Sequence, residues 1–297
     1  MFEEFKSAFS RPNNGHIQLI IINVVVFIVL GILMVLSRWF DFETFFGTIH
    51  NQFSLPSIFS EFLTRPWTII TYFFTHDLSG IFHILFNMLA LYWFGKLFVE
   101  YLGSDKLIAV YILGGIAGAV IYLMAYNLIP NPPPFLSGRA ELVGASAAVF
   151  AIMVAVATLL PDYTFFLMFI GPVKIKWIAA IYIFLSILGS VGSNAGGDIA
   201  HLGGALMGFV YTKQLQVGVN WGGWIIAVLN WFSSLFTPKP KVKISYRKSD
   251  PANGKKTTNA FGISQKEIDE ILDKISDGGY ESLTKDEKEK LFKASKK

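Results

Sequence analysis

The sequence predicts an all-α polytopic membrane protein, a bundle of six transmembrane helices followed by a small helical C-terminal appendage. Three observations predict it. Hydrophobic residues occupy 53% of the 297 positions and charged residues only 15%, against about 25% charged in a typical soluble domain. Apolar runs near the roughly 20 residues that cross a bilayer as a helix recur through the first two-thirds of the chain. Of the 25 lysines and arginines, 16 fall from Lys213 onward and nine are left for the apolar part, as expected of a lipid-embedded body with a solvated tail. Those tail lysines are interleaved with ten acids and no nucleic-acid-binding motif accompanies them, so no nucleic-acid partner is expected. Cysteine is absent, which excludes disulfides, thiolate metal sites and cysteine nucleophiles.

The first span runs from about Ile17 to Leu36. Its apolar run is too long for a signal peptide, and it ends at Arg38 and Trp39 without a small-residue cleavage site. Five more follow: about Gly80 to Tyr101, Leu107 to Leu128, Gly144 to Leu160, Val173 to Gly189 and Ile199 to Val217. Trp221 to Phe236 is apolar and tryptophan-rich but only about 16 residues long, which suits a helix lying in the interface. A seventh span there would carry the lysine-rich tail to the other side. Pro238 and Pro240 open a polar linker reaching about Thr258. Ile268, Ile271, Leu272 and Ile275 then recur at helical spacing, Gly278 and Gly279 interrupt, and Leu283, Leu291 and Phe292 suggest a second short helix. Ser282 or Thr284 is its expected cap. The resulting layout is a membrane domain over 1–220, an interfacial segment and linker over 221–258, and a helical tail over 259–297.

Lysines and arginines near span ends mark the cytoplasmic face. Lys6 and Arg11, Lys96 and Lys106, Lys174 and Lys176, and the tail fall on one face; Arg38, Arg65 and Arg139 fall on the other. Both termini are therefore expected in the cytoplasm, and the expected setting is the plasma (inner) membrane of a bacterium.

With that topology, the second, fourth and sixth spans all begin at the outer face, so their first turns share one depth. The second carries His83 and Asn87, four apart and on one helical face; the fourth carries Ser146; the sixth carries His201 about two residues after its expected start. A serine hydroxyl is a weak nucleophile until a base within hydrogen-bond reach takes its proton, and His201 is the available base. The oxyanion that develops on attack needs donors aimed at it, and His83, Asn87 and the Ser146 backbone N–H near a helix N-terminus are donors of that kind. Asp198, three residues before His201, shares its helical face, but its simpler expected role is to cap the sixth span. Gly204 and Gly208, with Ala147, Ala151 and Ala155 at the same spacing, predict close packing of the fourth and sixth spans. A lone membrane serine more often bonds a carbonyl one turn back; it is the company of the other three residues that points to chemistry.

His16 and His50 read as solvated ends of the first span, and His76 as a structural loop residue. No HExxH motif suggests a zinc protease, and the polar groups are shallower than the midplane charges of a transporter. No cofactor is expected.

Thr75-His76, His83-Ile-Leu-Phe-Asn87, Gly144-Ala-Ser-Ala-Ala-Val-Phe150 and Ala200-His201-Leu-Gly-Gly204 together resemble, in order and spacing, the rhomboid family of intramembrane serine proteases. The resemblance covers about Arg65 to Gly208, with Arg65-Pro66-Trp67 and Val99-Glu100-Tyr-Leu-Gly103 as further matching segments. It implies a six-helix fold, transmembrane proteins as substrates, Ser146 as nucleophile, His201 as base, and His83 and Asn87 as oxyanion donors. The chain departs from the family at Ala147, where glycine is usual after the serine, and at Phe150, where a tyrosine often stands near the histidine.

Overall fold

The computed structural model of the protein describes residues 11, 13–167, 170–236 and 263–295; Lys6 and the expected linker from Pro238 to Thr258 lie outside them. The chain divides into two compact units, Met1–Thr237 and Pro238–Lys297. In the first, helix α1 (Gly15–Trp39) turns Val25, Ile28, Val29 and Ile32 outward, an apolar face that only lipid can cover without cost. Helix α5 (Ile81–Leu102) meets α6 (Ser104–Leu128) at Gly103 alone. Its φ of +82° is open to glycine and strained for other residues. The start of α1 docks on this turn, with the Gly15 amide donating to Ser104 Oγ at 2.9 Å.

Between α1 and α5 the chain does not simply cross the surface. It forms α2 (Glu43–Asn51), strand β1 (Leu55–Pro56), α3 (Phe59–Thr64) and the single turn α4 (Thr68–Thr71), which continues as a 3-10 turn over Tyr72–Phe74. Tyr72 and Phe73 are fully buried. Tyr72 Oη donates to the Gly115 carbonyl of α6 at 2.6 Å. Tyr111 of α6 donates to the Phe73 carbonyl at 2.9 Å and receives the Asn23 amide of α1 at 3.0 Å. The buried Tyr72, Tyr111 and Asn23 side chains thereby find partners, which a low-dielectric interior demands. Strand β1 pairs antiparallel with β2 (Glu141–Leu142), Leu55 facing Leu142. Buried Arg65 holds the same junction: it pairs with Glu141 at 2.7 Å and Glu61 at 3.8 Å and donates to the Asn51 carbonyl, while Arg139 also pairs with Glu61.

Helix α7 (Ser146–Leu159) is the centre of the bundle, buried at every residue from Ala147 to Ala157. At 1.5 Å per residue its 14 residues span about 21 Å, short of the ~30 Å hydrocarbon core. Protein, not lipid, surrounds it, so its ends need not reach either surface. A hairpin of β3 (Thr164–Leu167) and β4 (Gly171–Lys174) leads to α8 (Ile175–Gly189), whose Ile181, Phe184, Leu185 and Leu188 face outward. Helix α9 (Ala195–Gln216) packs on both α6 and α7. A β-carbon at Gly204 would lie 2.0 Å from the Ala147 carbonyl oxygen, and one at Gly208 would lie 2.1 Å from that of Ala151, so the helices touch backbone to backbone at the small-residue pairs expected. Helix α10 (Gly223–Phe236) has 14 residues and is too short to cross; it seats Ile225 in the core and exposes Trp224 and Trp231.

The molecule is an all-α membrane bundle. Helices α1, α5 and α6 have the length and apolarity to span a bilayer; α7 and α8 are shorter, and α9 begins four residues earlier than the apolar run, because Ala195, Gly196 and Gly197 are helical and buried.

In the second unit, α11 (Gln265–Gly278) opens on a reciprocal capping box between Ser264 and Glu267. Helix α12 (Lys285–Ser295) opens on another: the Glu287 amide donates to Thr284 Oγ1 and the Thr284 amide to the Glu287 carboxylate. Of the two residues expected to cap it, Thr284 does so; Ser282 instead donates to the Gly279 and Lys274 carbonyls. Ion pairs Lys274–Glu287 and Lys290–Glu267 join the two helices.

Candidate active site

Ser146 is the first residue of α7, with Ala145 as N-cap, so the backbone amides of this first turn have no intrahelical partners. The turn into it is built at Gly144, whose φ is +124°. A β-carbon there would also strike the His83 ring, 2.9 Å from Nε2, while lying 3.7 Å from Ser146 Oγ. The Gly144 amide donates to the Tyr72 carbonyl at 3.0 Å, so the buried turn before α5 holds the serine turn in place. His76, fully buried, stands behind it. The Ala145 amide makes a long contact with its Nε2 at 3.5 Å, and its ring lies edge-on to His83 at 5.4 Å. Burial, and then the neighbouring His83, lower the His76 pKa to about 4, so this histidine is neutral at ordinary pH.

His201 is the seventh residue of α9, about two turns in rather than two residues in, because the helix starts at Ala195. Its Nε2 lies 2.7 Å from Ser146 Oγ. Phe150, one turn along α7 from the serine, stacks on the imidazole at 4.3 Å and 11°, so an aromatic face without a hydroxyl fixes the ring plane. The other nitrogen, Nδ1, meets Ser186 Oγ of α8 at 3.2 Å and Asp198 Oδ1 at 3.5 Å. Asp198 is not the helix cap that its position suggested. The N-cap is Asn194, four residues earlier and without a side-chain cap bond, and the aspartate faces the histidine instead.

His83 and Asn87 line the same cavity as Ser146 and Phe150, a space of about 660 Å³ with apolar walls from Phe86, Trp93 and Tyr182. Asn87 Nδ2 donates to the His83 carbonyl at 2.8 Å, which leaves its second N–H for another acceptor. A second, polar cavity of about 510 Å³ reaches His83 from the opposite side, lined by Asp77, Glu141, Tyr126 and Asn194. Burial pushes the Glu141 carboxyl up, opposed by its hydrogen bond from Arg65. His83 thus lines both an apolar cavity and a polar one.

Of the four residues singled out in the sequence, Ser146 and His201 are in direct hydrogen-bond contact, and His83 and Asn87 line one cavity with Ser146. Ala147 lies inside the α-helix, where glycine's freedom is not needed, and its methyl fills space left by Gly118, where a β-carbon would approach within 2.7 Å. The contacts that sequence reasoning missed are those of Tyr72, His76, Ser186 and Asp198. An apolar run from Trp67 to Phe74 was the only signal that the segment before α5 is buried. No group of histidines and carboxylates suited to a metal ion occurs among the described residues.

The family model of the rhomboid domain matches residues 63–216, and a family of unknown function matches 262–297. Among curated proteins, the chain is 31% identical over 205 residues to the mitochondrial RHOMBOID-like protein 12 of Arabidopsis thaliana, covering 66% of this chain and 59% of that one. It is 29% identical over 170 residues to the mitochondrial Rhomboid protein 1 of Saccharomyces cerevisiae (54% and 45%). An uncharacterized mitochondrial rhomboid protein of Schizosaccharomyces pombe is 27% identical over 183 residues (46% and 45%). The chain therefore spans less than two-thirds of the length of these relatives. Their names correct the expected location: they point to a mitochondrial membrane, not the plasma membrane of a bacterium, and the labelling of the lysine-bearing face as cytoplasmic falls with it. With the rhomboid domain matched across more than half of its length, the chain belongs to the rhomboid family.

Proposed function

We propose that the protein is an intramembrane serine endopeptidase that hydrolyses peptide bonds in or near transmembrane segments of other membrane proteins, with Ser146 and His201 as a catalytic dyad. The observation that carries this reading is the 2.7 Å contact between Ser146 Oγ and His201 Nε2 at the wall of an apolar cavity. His201 takes the hydroxyl proton as Oγ attacks the scissile carbonyl carbon, and returns it to the leaving amine when the tetrahedral intermediate collapses. Water, activated by the same imidazole, then releases the acyl group from Ser146. The negative charge on the carbonyl oxygen is met by the Ser146 backbone N–H, the free N–H of Asn87 and the His83 ring. A helical substrate must unwind to react, since its carbonyls are otherwise hydrogen-bonded and its backbone shielded. The apolar cavity beside Ser146 suits an unwound residue from a lipid-embedded segment.

The test is to incubate the detergent-solubilised chain with single-span substrates and with a fluorophosphonate probe. Cleavage and labelling at Ser146 are expected in the wild type and absent in Ser146→Ala and His201→Ala. Cleavage that survives in Ser146→Ala would rule out this mechanism.

A further inference from the structure

We infer that Asp198, together with Ser186, is a positioning residue that sets the tautomer and orientation of His201; this rests on the dyad proposed above. A carboxylate can only accept hydrogen bonds. With Asp198 Oδ1 at 3.5 Å and Ser186 Oγ at 3.2 Å on the Nδ1 side, the ring proton belongs on Nδ1, donated toward these oxygens. That leaves the Nε2 lone pair facing the Ser146 hydroxyl at 2.7 Å, the arrangement a general base requires. The opposite tautomer would set an N–H against the serine and leave the carboxylate facing a bare lone pair.

Three further features support the assignment. Asp198 and His201 lie one turn apart on α9, so the contact is fixed by the helix itself. The carboxylate is seated against α8 in space that only a glycine leaves: a β-carbon at Gly189 would fall 2.4 Å from Asp198 Oδ2. Ser186, 3% exposed, reaches the same nitrogen from α8, so the base is held from two helices and clamped in plane by Phe150 of α7. When the serine proton arrives at Nε2, the imidazolium keeps its Nδ1 proton and Asp198 stabilises the cation without being protonated, as in serine proteases with an aspartate behind the histidine.

An acid in the first turn of α9 also complements the helix dipole, so the test must separate positioning from packing. In Asp198→Asn, kcat should fall about tenfold to a hundredfold with KM nearly unchanged. The loss should be smaller than the ~10⁴-fold seen where a buried aspartate is the sole partner, since Ser186 stays. Ser186→Ala should lose less, and the double variant more than either. To keep the test independent of how Asp198→Asn folds, the wild-type chain provides a second reading: ¹⁵N-histidine NMR, with His201 assigned by difference from His201→Gln, should show the proton on Nδ1. A wild-type kcat in a folded Asp198→Asn, or a wild-type ring protonated on Nε2 alone, would overturn the proposal while leaving the dyad intact. A wild type that neither cleaves nor labels would overturn the dyad, and this inference with it.

Discussion

At the scale of single residues, the proposed reaction separates groups that would perform it from groups that hold them. Replacing Ser146 removes the proposed nucleophile and should abolish turnover. Asn87→Ala removes one proposed oxyanion donor and should lower kcat by about 10²–10³-fold, with probe labelling at Ser146 slowed but present. Equal loss in the two variants would show that Asn87 does more than donate. His76 makes a different prediction. Its pKa is about 4 in the folded chain against an ordinary 6.5, so between these values the unfolded chain binds a proton that the folded one refuses. Its contribution to stability is fully present above about pH 6.5 and is lost as pH falls toward 4, roughly 3 kcal/mol in all. Thermal unfolding in detergent should show the midpoint dropping across that window, and dropping less in His76→Gln; an identical slope in both would refute the assignment.

At the scale of elements, the contact between α7 and α9 decides whether Ser146 and His201 meet. Gly204 and Gly208 rest directly on the Ala147 and Ala151 carbonyls, and backbone has nowhere to give. Gly204→Ala should therefore cost stability, by about 1–3 kcal/mol as for other overpacked cores, and should also weaken probe labelling by prying His201 from Ser146. Gly31 supplies the contrast. It sits in α1 with nothing within 4 Å of an added β-carbon, so Gly31→Ala should be neutral or stabilising by about 0.5–1 kcal/mol. If both alanines behaved alike in thermal unfolding and labelling, close helix approach would not be what assembles the site.

At the scale of the whole molecule, the catalytic candidates all lie in the unit Met1–Thr237, and the unit Pro238–Lys297 carries its own caps and ion pairs. A chain truncated after Lys239 should therefore still insert, label at Ser146 and cleave at a rate within about twofold of the full chain, as expected when a separately compact unit is removed. Loss of labelling on truncation would make the tail part of the protein's working structure. Within the tail, Ser264→Ala breaks one capping box and should lower the helicity of α11, at a cost of about 1 kcal/mol, without altering labelling.

The spans were legible because lipid imposes one rule on every exposed position, and α1, α5 and α6 read as apolar runs almost to their ends. That Ser146, His201, His83 and Asn87 lie near one another was legible because reactive or polar groups are scarce in such runs, and the close approach at Gly204 and Gly208 because only small residues let helices touch. The burial of Tyr72 and Phe73, the two-turn depth of His201 and the turning of Asp198 from cap to partner were not legible. Each depends on where a helix starts or a loop folds back among residues distant in sequence. Hydrophobic periodicity records which face of a segment meets lipid, and a membrane protein writes that in its composition. Which polar atom faces which other is set by packing between segments, so the 2.7 Å contact at Ser146 and the neighbours of His201 Nδ1 were decided only by the tertiary structure.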